Sequence, residues 1–128
     1  MKIRPYKNED FEKVGSWWAI STGELISTSL YGPKWTYVAE SNNKPVACVS
    51  LLLTNSPEFA YLNALVGDPQ SDDRAEAVDV LLNTVEEEAK ILGFKRVILF
   101  AENDKMINYY NAKNFKKIKE LTCLSKEL

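Results

Sequence analysis

Between Phe59 and Phe94 the chain runs without interruption from an apolar stretch, through an acid-rich turn at Gly67-Asp68-Pro69, into a long amphipathic segment closed by Gly93. Val78, Leu81, Leu82, Val85, Ala89 and Leu92 recur at three- and four-residue intervals, while Glu76, Asp79, Asn83, Glu86, Glu87 and Lys90 take the other side. That spacing predicts a helix with one buried face. Pro69, Ser71, Asp72 and Asp73 supply its start, with a capping side chain and acids that suit the dipole; Gly93 suits the left-handed turn that ends it. Phe59 to Val66 before the helix and Val97 to Phe100 after it are apolar and short, so the unit reads as strand, helix, strand. Unpaired backbone N–H groups and the helix dipole converge where such a strand turns into the helix, which makes this junction the natural place for an anionic ligand.

A chain of 128 residues has the size of a single domain, here read as 1–128, with a real core. Its 45% hydrophobic and 27% charged residues are ordinary for a globular protein, and no window has the apolar length of a membrane span. Met1-Lys2-Ile3-Arg4-Pro5 lacks the apolar core of a signal peptide, so a cytoplasmic location is expected. Cys48 and Cys123 both sit in apolar, strand-like runs and read as reduced core thiols, with a disulfide or a reactive thiol as the alternative. With no histidine in the chain, Ser-His and Cys-His nucleophile pairs and histidine metal sites are excluded, and no metal is expected. A net charge of −2 gives no footprint for nucleic acid, and the lysines at 113, 116, 117 and 119 form only a small cluster.

In chain order, Ile3 and its neighbours make a first strand stopped by Pro5, and Asn8 with Glu9 and Asp10 reads as a helix cap. Phe11, Val14 and Trp18 share a face of the following helix, with Trp17 near its edge; the tryptophans either anchor the helix or line an acceptor pocket. Ser21 to Lys34 has weak periodicity, punctuated by Gly23, Gly32 and Pro33, and reads as a loop or short irregular helix. Loops of this length are often binding loops, so Glu24, Tyr31 and Trp35 are candidates for the substrate side. Trp35 to Glu40, the polar turn Ser41-Asn42-Asn43-Lys44 and Pro45 to Leu53 form a hairpin signal. After Phe100, Ala101-Glu102-Asn103-Asp104 caps a second helix from about Lys105 to Ala112, Asn114 takes the left-handed position, and Phe115 to Ser125 reads as a last strand.

This order, together with four local matches, resembles the GNAT superfamily of N-acetyltransferases over nearly the whole chain. The matches are Ile3-Arg4-Pro5-Tyr6 with Glu9-Asp10-Phe11; Val38-Ala39-Glu40 with Asn43-Lys44-Pro45-Val46-Ala47; Glu88 to Phe94; and Asn103 with Tyr110 and Lys113-Asn114-Phe115, where Asn114 stands for the family's glycine. The resemblance implies an α/β (α+β) fold, a GNAT-like mixed central sheet in the order β-α-β-β-β-α-β-α-β with helices on both faces. It further implies transfer of an acetyl group from acetyl-CoA to an amine by direct attack in a ternary complex. The co-substrate acetyl-CoA would lie in a V-shaped opening between the strand ending near Val66 and the strand from Val97 to Phe100. Main-chain groups of Leu65, Val66 and Gly67 would hold the pantetheine arm, and the loop aligned as Arg74-Ala75-Glu76-Ala77-Val78-Asp79 would cradle the pyrophosphate, with Asn103 nearby. Tyr110 matches the family's general acid, although Tyr109 stands beside it. Asn63 occupies the position where many members carry a glutamate base, and Glu40 and Glu24 are substitutes by chemistry alone.

The loop has no glycine at the two positions where the family has small residues, and Asp68, Asp72, Asp73, Glu76 and Asp79 are acids facing a doubly charged ligand. Two readings therefore stand: a small N-acetyltransferase acting on an amine, small molecule or peptide, and a catalytically inactive GNAT-fold binding module. With room for one strand after Phe115, the acceptor side is either open or completed by a second subunit of a homodimer.

Overall fold

The computed structural model describes residues 1–32 and 34–128; Pro33, read as loop punctuation, lies outside the described residues. The elements are β1 (Lys2–Pro5), α1 (Phe11–Thr22) preceded by a single 3₁₀ turn, β2 (Thr36–Ser41), β3 (Lys44–Leu52), β4 (Ala60–Gly67), α2 (Arg74–Ile91), β5 (Val97–Ile98) and α3 (Asp104–Ala112). One five-stranded sheet runs β1-β2-β3-β4-β5, antiparallel through β4 and parallel between β4 and β5. No described helix is long and apolar enough to cross a membrane.

Alternation along the strands sorts the core into two layers. Ala39, Ala47, Val49 and Leu62 face α2, where Ala77, Leu81, Leu82, Val85 and Ala89 supply the buried stripe and Tyr110 of α3 joins it. Val38, Cys48 and Val66 face the other way, onto Tyr6, Val14 and Trp17 of the α1 side and Tyr31 of the segment that follows α1. Helices thus cover both faces, as expected. The stripe of α2 is the predicted one from Leu81 to Ala89; at its start Ala77 is buried and Val78 only half-buried, and at its end Leu92 follows the last helical residue and is exposed.

Turns follow local chemistry. Asn42 and Asn43 both take positive φ, 51° and 62°, in the two-residue turn that matches hairpin twist. Gly93 (φ 89°) and Asn114 (φ 70°) occupy the left-handed positions the sequence assigned them. Three expectations change. On α1 it is Trp17 that is buried, 5% exposed, while Trp18 sits at the edge with its indole N–H donating to the Tyr31 hydroxyl (3.0 Å). An edge position gives that N–H the partner an apolar layer lacks. Residues after Phe115 form no strand, and Ile118, Leu121 and Leu124 are exposed: an apolar run becomes a strand only where an edge pairs with it, and this one meets none. Cys48 is buried as expected, but Cys123 lies on that exposed tail; both thiols are free.

Arg4 ties the first strand to the start of α1. Its Nη1 and Nη2 donate to the two oxygens of Asp10 at 2.8 and 2.7 Å, and its Nε reaches Glu40 at 3.0 Å. Asp10 also accepts the Lys7 backbone N–H at 2.8 Å, so this carboxylate, rather than Asn8, caps the turn. Burial alone would raise the Asp10 pKa, but the Arg4 guanidinium and the Lys7 amide outweigh it and hold the group below the ordinary carboxylate range. Its stabilising contribution is therefore complete above roughly pH 4 and lost as pH falls through the lower folded value.

Gly67 ends β4 directly beneath the first turn of α2. A Cβ there would stand 2.6 Å from Arg74 Cγ and 3.2 Å from Val78 Cγ2, so strand and helix approach this closely only with glycine. Gly67→Ala is expected to lower stability by about 1–3 kcal/mol in urea denaturation through this overpacking. Asp10→Asn is expected to lower the melting temperature at pH 7, with the gap to wild type narrowing once pH falls below about 4 and closing as it passes through the lowered folded value of the wild-type carboxylate.

Candidate functional site

Two backbone hydrogen bonds define the geometry of β4. Near its start the Ala60 N–H points toward β5 and donates to the Arg96 carbonyl (3.1 Å); just past its end the Asp68 N–H points toward β3 and donates to the Val46 carbonyl (2.7 Å). Eight residues of unbroken strand would leave both N–H groups pointing the same way. The reversal comes from a bulge: Asn63 is opposite Ser50 and Val66 opposite Cys48, so Ala64 and Leu65 together oppose Val49. Ala64 takes φ 55°, a conformation that costs a residue with a Cβ about 1–2 kcal/mol. Beyond the bulge, the main-chain groups of Leu65 and Gly67 turn toward β5, while those of Val66 join the β3 ladder.

β5 does not follow β4 that far. Their parallel pairing is confined to Ala60 with Val97 and Tyr61 with Ile98, after which the two strands carry no further ladder. Beyond Tyr61 this edge of β4 is therefore unpaired among the described residues, and the backbone of Leu65 and Gly67 faces it; Val66, expected to share that role, is committed to β3 instead.

At the same end of β4 lies the N-terminus of α2. The expected side-chain cap is missing: Asp73 occupies the capping position but accepts the Ser41 hydroxyl at 2.6 Å. The N–H groups of Ala75 and Glu76 have no acceptor among the described residues, whereas the Ala77 N–H already bonds to the Asp73 carbonyl (2.9 Å). Ala77 is fully buried against the sheet and Val78 packs beside Gly67, so neither faces a ligand as the aligned loop had implied. Arg74 lays its stem over Gly67 and forms no ion pair among the described residues. Two free N–H groups beside a guanidinium suit an anion.

The acids of this region are partly occupied. Asp68 accepts the Gln70 N–H, Asp73 holds Ser41, and Asp79 receives the Tyr109 hydroxyl (2.7 Å) and Lys113 (3.1 Å). That last pairing fastens α3 to α2 and lowers the Asp79 pKa, first through the Tyr109 hydrogen bond. Asp72 and Glu76 remain exposed.

Tyr109 and Tyr110 separate cleanly. Burial, and then Asp79, push the Tyr109 pKa up, and its proton is committed to that carboxylate. Tyr110 packs edge-on against Tyr109 and Phe115, at 5.1 and 5.4 Å between centroids, and the residue is 7% exposed. Its hydroxyl has no protein partner, and no described side-chain polar atom is both unpaired and inaccessible, so this hydroxyl reaches solvent. Burial pushes its pKa up to about 12, which keeps it protonated at neutral pH.

Other sequence candidates take different roles. Glu40 is not a free base: it is bound by Arg4 on β2, two strands away from β4. Glu24 is exposed, and Trp17 is a core residue beside a groove of about 480 Å³ lined also by Asp10, Ile20, Pro45, Asp68 and Gln70. Trp35 (φ 61°) packs on the α2 face, across the sheet from Tyr31, and its carbonyl accepts the Leu51 N–H. Tyr31 is 4% exposed, its hydroxyl donating to the Ala64 carbonyl at 2.6 Å, so it supports the bulge and is not open to a substrate. Asn63, half-buried, donates to the Leu30 carbonyl at 3.5 Å. Asn103 caps α3, its Oδ1 accepting the Met106 N–H (3.0 Å). Nothing in the residue type at 64 announces a left-handed strand position.

Comparison with known proteins agrees with this fold. The acetyltransferase (GNAT) family matches residues 4–115. A search of curated proteins gives no match. Among solved structures, Ard1 from Thermoplasma volcanium is similar at TM-score 0.75 and 18% identity, over 90% of this chain and 82% of that one. Rv2747 from Mycobacterium tuberculosis, solved in complex with CoA, is similar at TM-score 0.70 and 15% identity, over 87% and 70%. An aminoglycoside acetyltransferase from an uncultured soil metagenomic sample is similar at TM-score 0.70 and 18% identity, over 99% and 95%. By fold and by family match, the chain belongs to the GNAT acetyltransferases.

Proposed function

We propose that the protein transfers an acetyl group from acetyl-CoA to a primary amine by direct attack within a ternary complex. The observation that carries this reading is the split between β4 and β5, with the backbone of Leu65 and Gly67 turned into it and an uncapped α2 N-terminus at the same end. Extended main-chain donors and acceptors suit the amide groups of a pantetheine arm, and the Ala75 and Glu76 N–H groups with Arg74 suit a pyrophosphate. The CoA complex of Rv2747 supports the same ligand for a chain of this fold.

The thioester supplies an activated carbonyl, and the protein's part is to hold it, stabilise developing charge and deliver a proton. N–H groups of the bulged strand are fixed donors for the oxygen that becomes negative as the amine attacks. As the carbon–sulfur bond breaks, the Tyr110 hydroxyl, protonated and without a protein partner, gives its proton to the departing thiolate. Asn63 cannot accept the proton the amine loses, and Glu40 is paired with Arg4, so the acceptor enters as the neutral amine and its proton leaves to water. The acceptor is an amine, small molecule or peptide; aminoglycosides are the acceptor class named for one protein of similar fold.

The exposed acids Asp72 and Glu76 at the mouth of α2 favour a second reading, a GNAT-fold binding module without efficient CoA binding. Acetyl-CoA at a hundredfold excess over its Kd is expected to raise the melting temperature by about 10 °C, as linkage requires of a ligand of the native state. No shift up to millimolar acetyl-CoA would favour the binding module. Tyr110→Phe is expected to lower kcat about a hundredfold with donor affinity within twofold of wild type. An unchanged kcat would remove Tyr110 from the reaction.

A further inference from the structure

The hydroxyl of Tyr31 reaches 33 residues along the chain to a single carbonyl, that of Ala64, and Ala64 is the residue on which the backbone direction of β4 reverses. The contact has a second tier. Trp18 Nε1 donates to the same hydroxyl oxygen at 3.0 Å, so the hydroxyl both donates and accepts, and its rotor is fixed. The Tyr31 ring is held in turn against Tyr6, with centroids 5.5 Å apart. Ala64 has neither the freedom of glycine nor the side-chain hydrogen bonding of asparagine to favour positive φ. A buried clamp from outside the sheet supplies what its own residue type does not.

We propose that Tyr31, braced by Trp18, is a positioning residue that pins the Ala64 carbonyl out of the strand ladder and thereby decides which main-chain groups of β4 face the opening. The inference rests on the acetyl-transfer reading for its catalytic consequence, although the structural part stands without it. With the clamp in place Val66 and Asp68 turn to β3, and Leu65 and Gly67 turn to the opening. Losing the extra residue at the bulge would exchange those roles, presenting different donors to the thioester and moving Gly67 out from under Arg74. The effect on turnover is transmitted through backbone direction, so Tyr31 acts without touching substrate.

Tyr31→Phe keeps the ring and removes the clamp. Amide hydrogen exchange reads the outcome without any ligand. The Val66 and Asp68 amides, beyond the bulge, are expected to lose protection at least tenfold relative to Tyr61 and Asn63, which pair with the same strand before it. A uniform loss along β4, or none, would overturn the proposal, because simple destabilisation of the core does not distinguish the two sides of the bulge. In turnover the variant is expected to lose at least tenfold in kcat/KM for acetyl-CoA, with kcat itself lowered, because the displaced main-chain groups serve both the pantetheine arm and the developing charge. Ala64→Gly added to Tyr31→Phe is expected to restore part of both the Val66 protection and kcat, since glycine holds positive φ unaided. Loss of kcat without any such recovery would overturn the link between clamp and catalysis. If Tyr31→Phe does not fold, Trp18→Phe, which removes only the brace, is expected to give the same one-sided exchange pattern at smaller amplitude. Should wild-type protein not bind acetyl-CoA, the proposed function fails on that result, and the exchange pattern still decides the role of Tyr31.

Discussion

The short hydrogen bond between Tyr31 and the Ala64 carbonyl meets the sheet at the point on which the rest of the site depends. A strand has period two, so one extra residue reverses every backbone group and every side chain beyond it. Because β4 carries that extra residue, Leu65 faces the α2 layer and Val66 the α1 layer, and Gly67 arrives beneath Arg74 with no side chain to obstruct it. The close seating of α2 on β4 and the direction of the main chain along the opening are two results of the same displacement.

The sequence made much of this architecture visible, and the reasons are local. The stripe on α2, the paired asparagines of the hairpin, Gly93 and Asn114 all act within a few residues of themselves, so residue type and spacing suffice to read them. What escaped notice depends on partners far along the chain. The run Ser71-Asp72-Asp73 predicts a capping side chain for α2, yet Ser41, 32 residues before Asp73, draws the carboxylate at the capping position away. Trp18 was assigned to the buried face, but an edge position with Tyr31 satisfies its indole N–H. The closing strand after Phe115 had the right composition and no edge to join. Alanine at position 64 carries no mark of a left-handed backbone, and what holds it there is Tyr31, 33 residues earlier.

The candidate site divides along the same line. Gly67 lies beneath Arg74 where β4 meets the start of α2, next to Ala75 and Glu76, and Leu65 and Tyr110 belong to the core layer on that side of the sheet. Glu40 is held elsewhere by Arg4, and Tyr31 serves the backbone. The acids that looked unfavourable in sequence are reduced in effect by their partners: Asp79 fastens α3 through Tyr109 and Lys113, and Asp73 is turned to Ser41. The carboxylates of Asp72 and Glu76 are exposed to solvent, where screening weakens their field.

A wall built from main-chain donors and acceptors has an evolutionary consequence. Recognition by peptide groups constrains the path of the backbone and leaves most side chains free to drift, provided that glycine or a comparably small residue stays where helix and strand touch. Structures sharing only 15–18% of their residues with this chain superimpose on it closely, as such freedom allows. In a fold of this kind, the loops can change residue by residue while the scaffold beneath is kept.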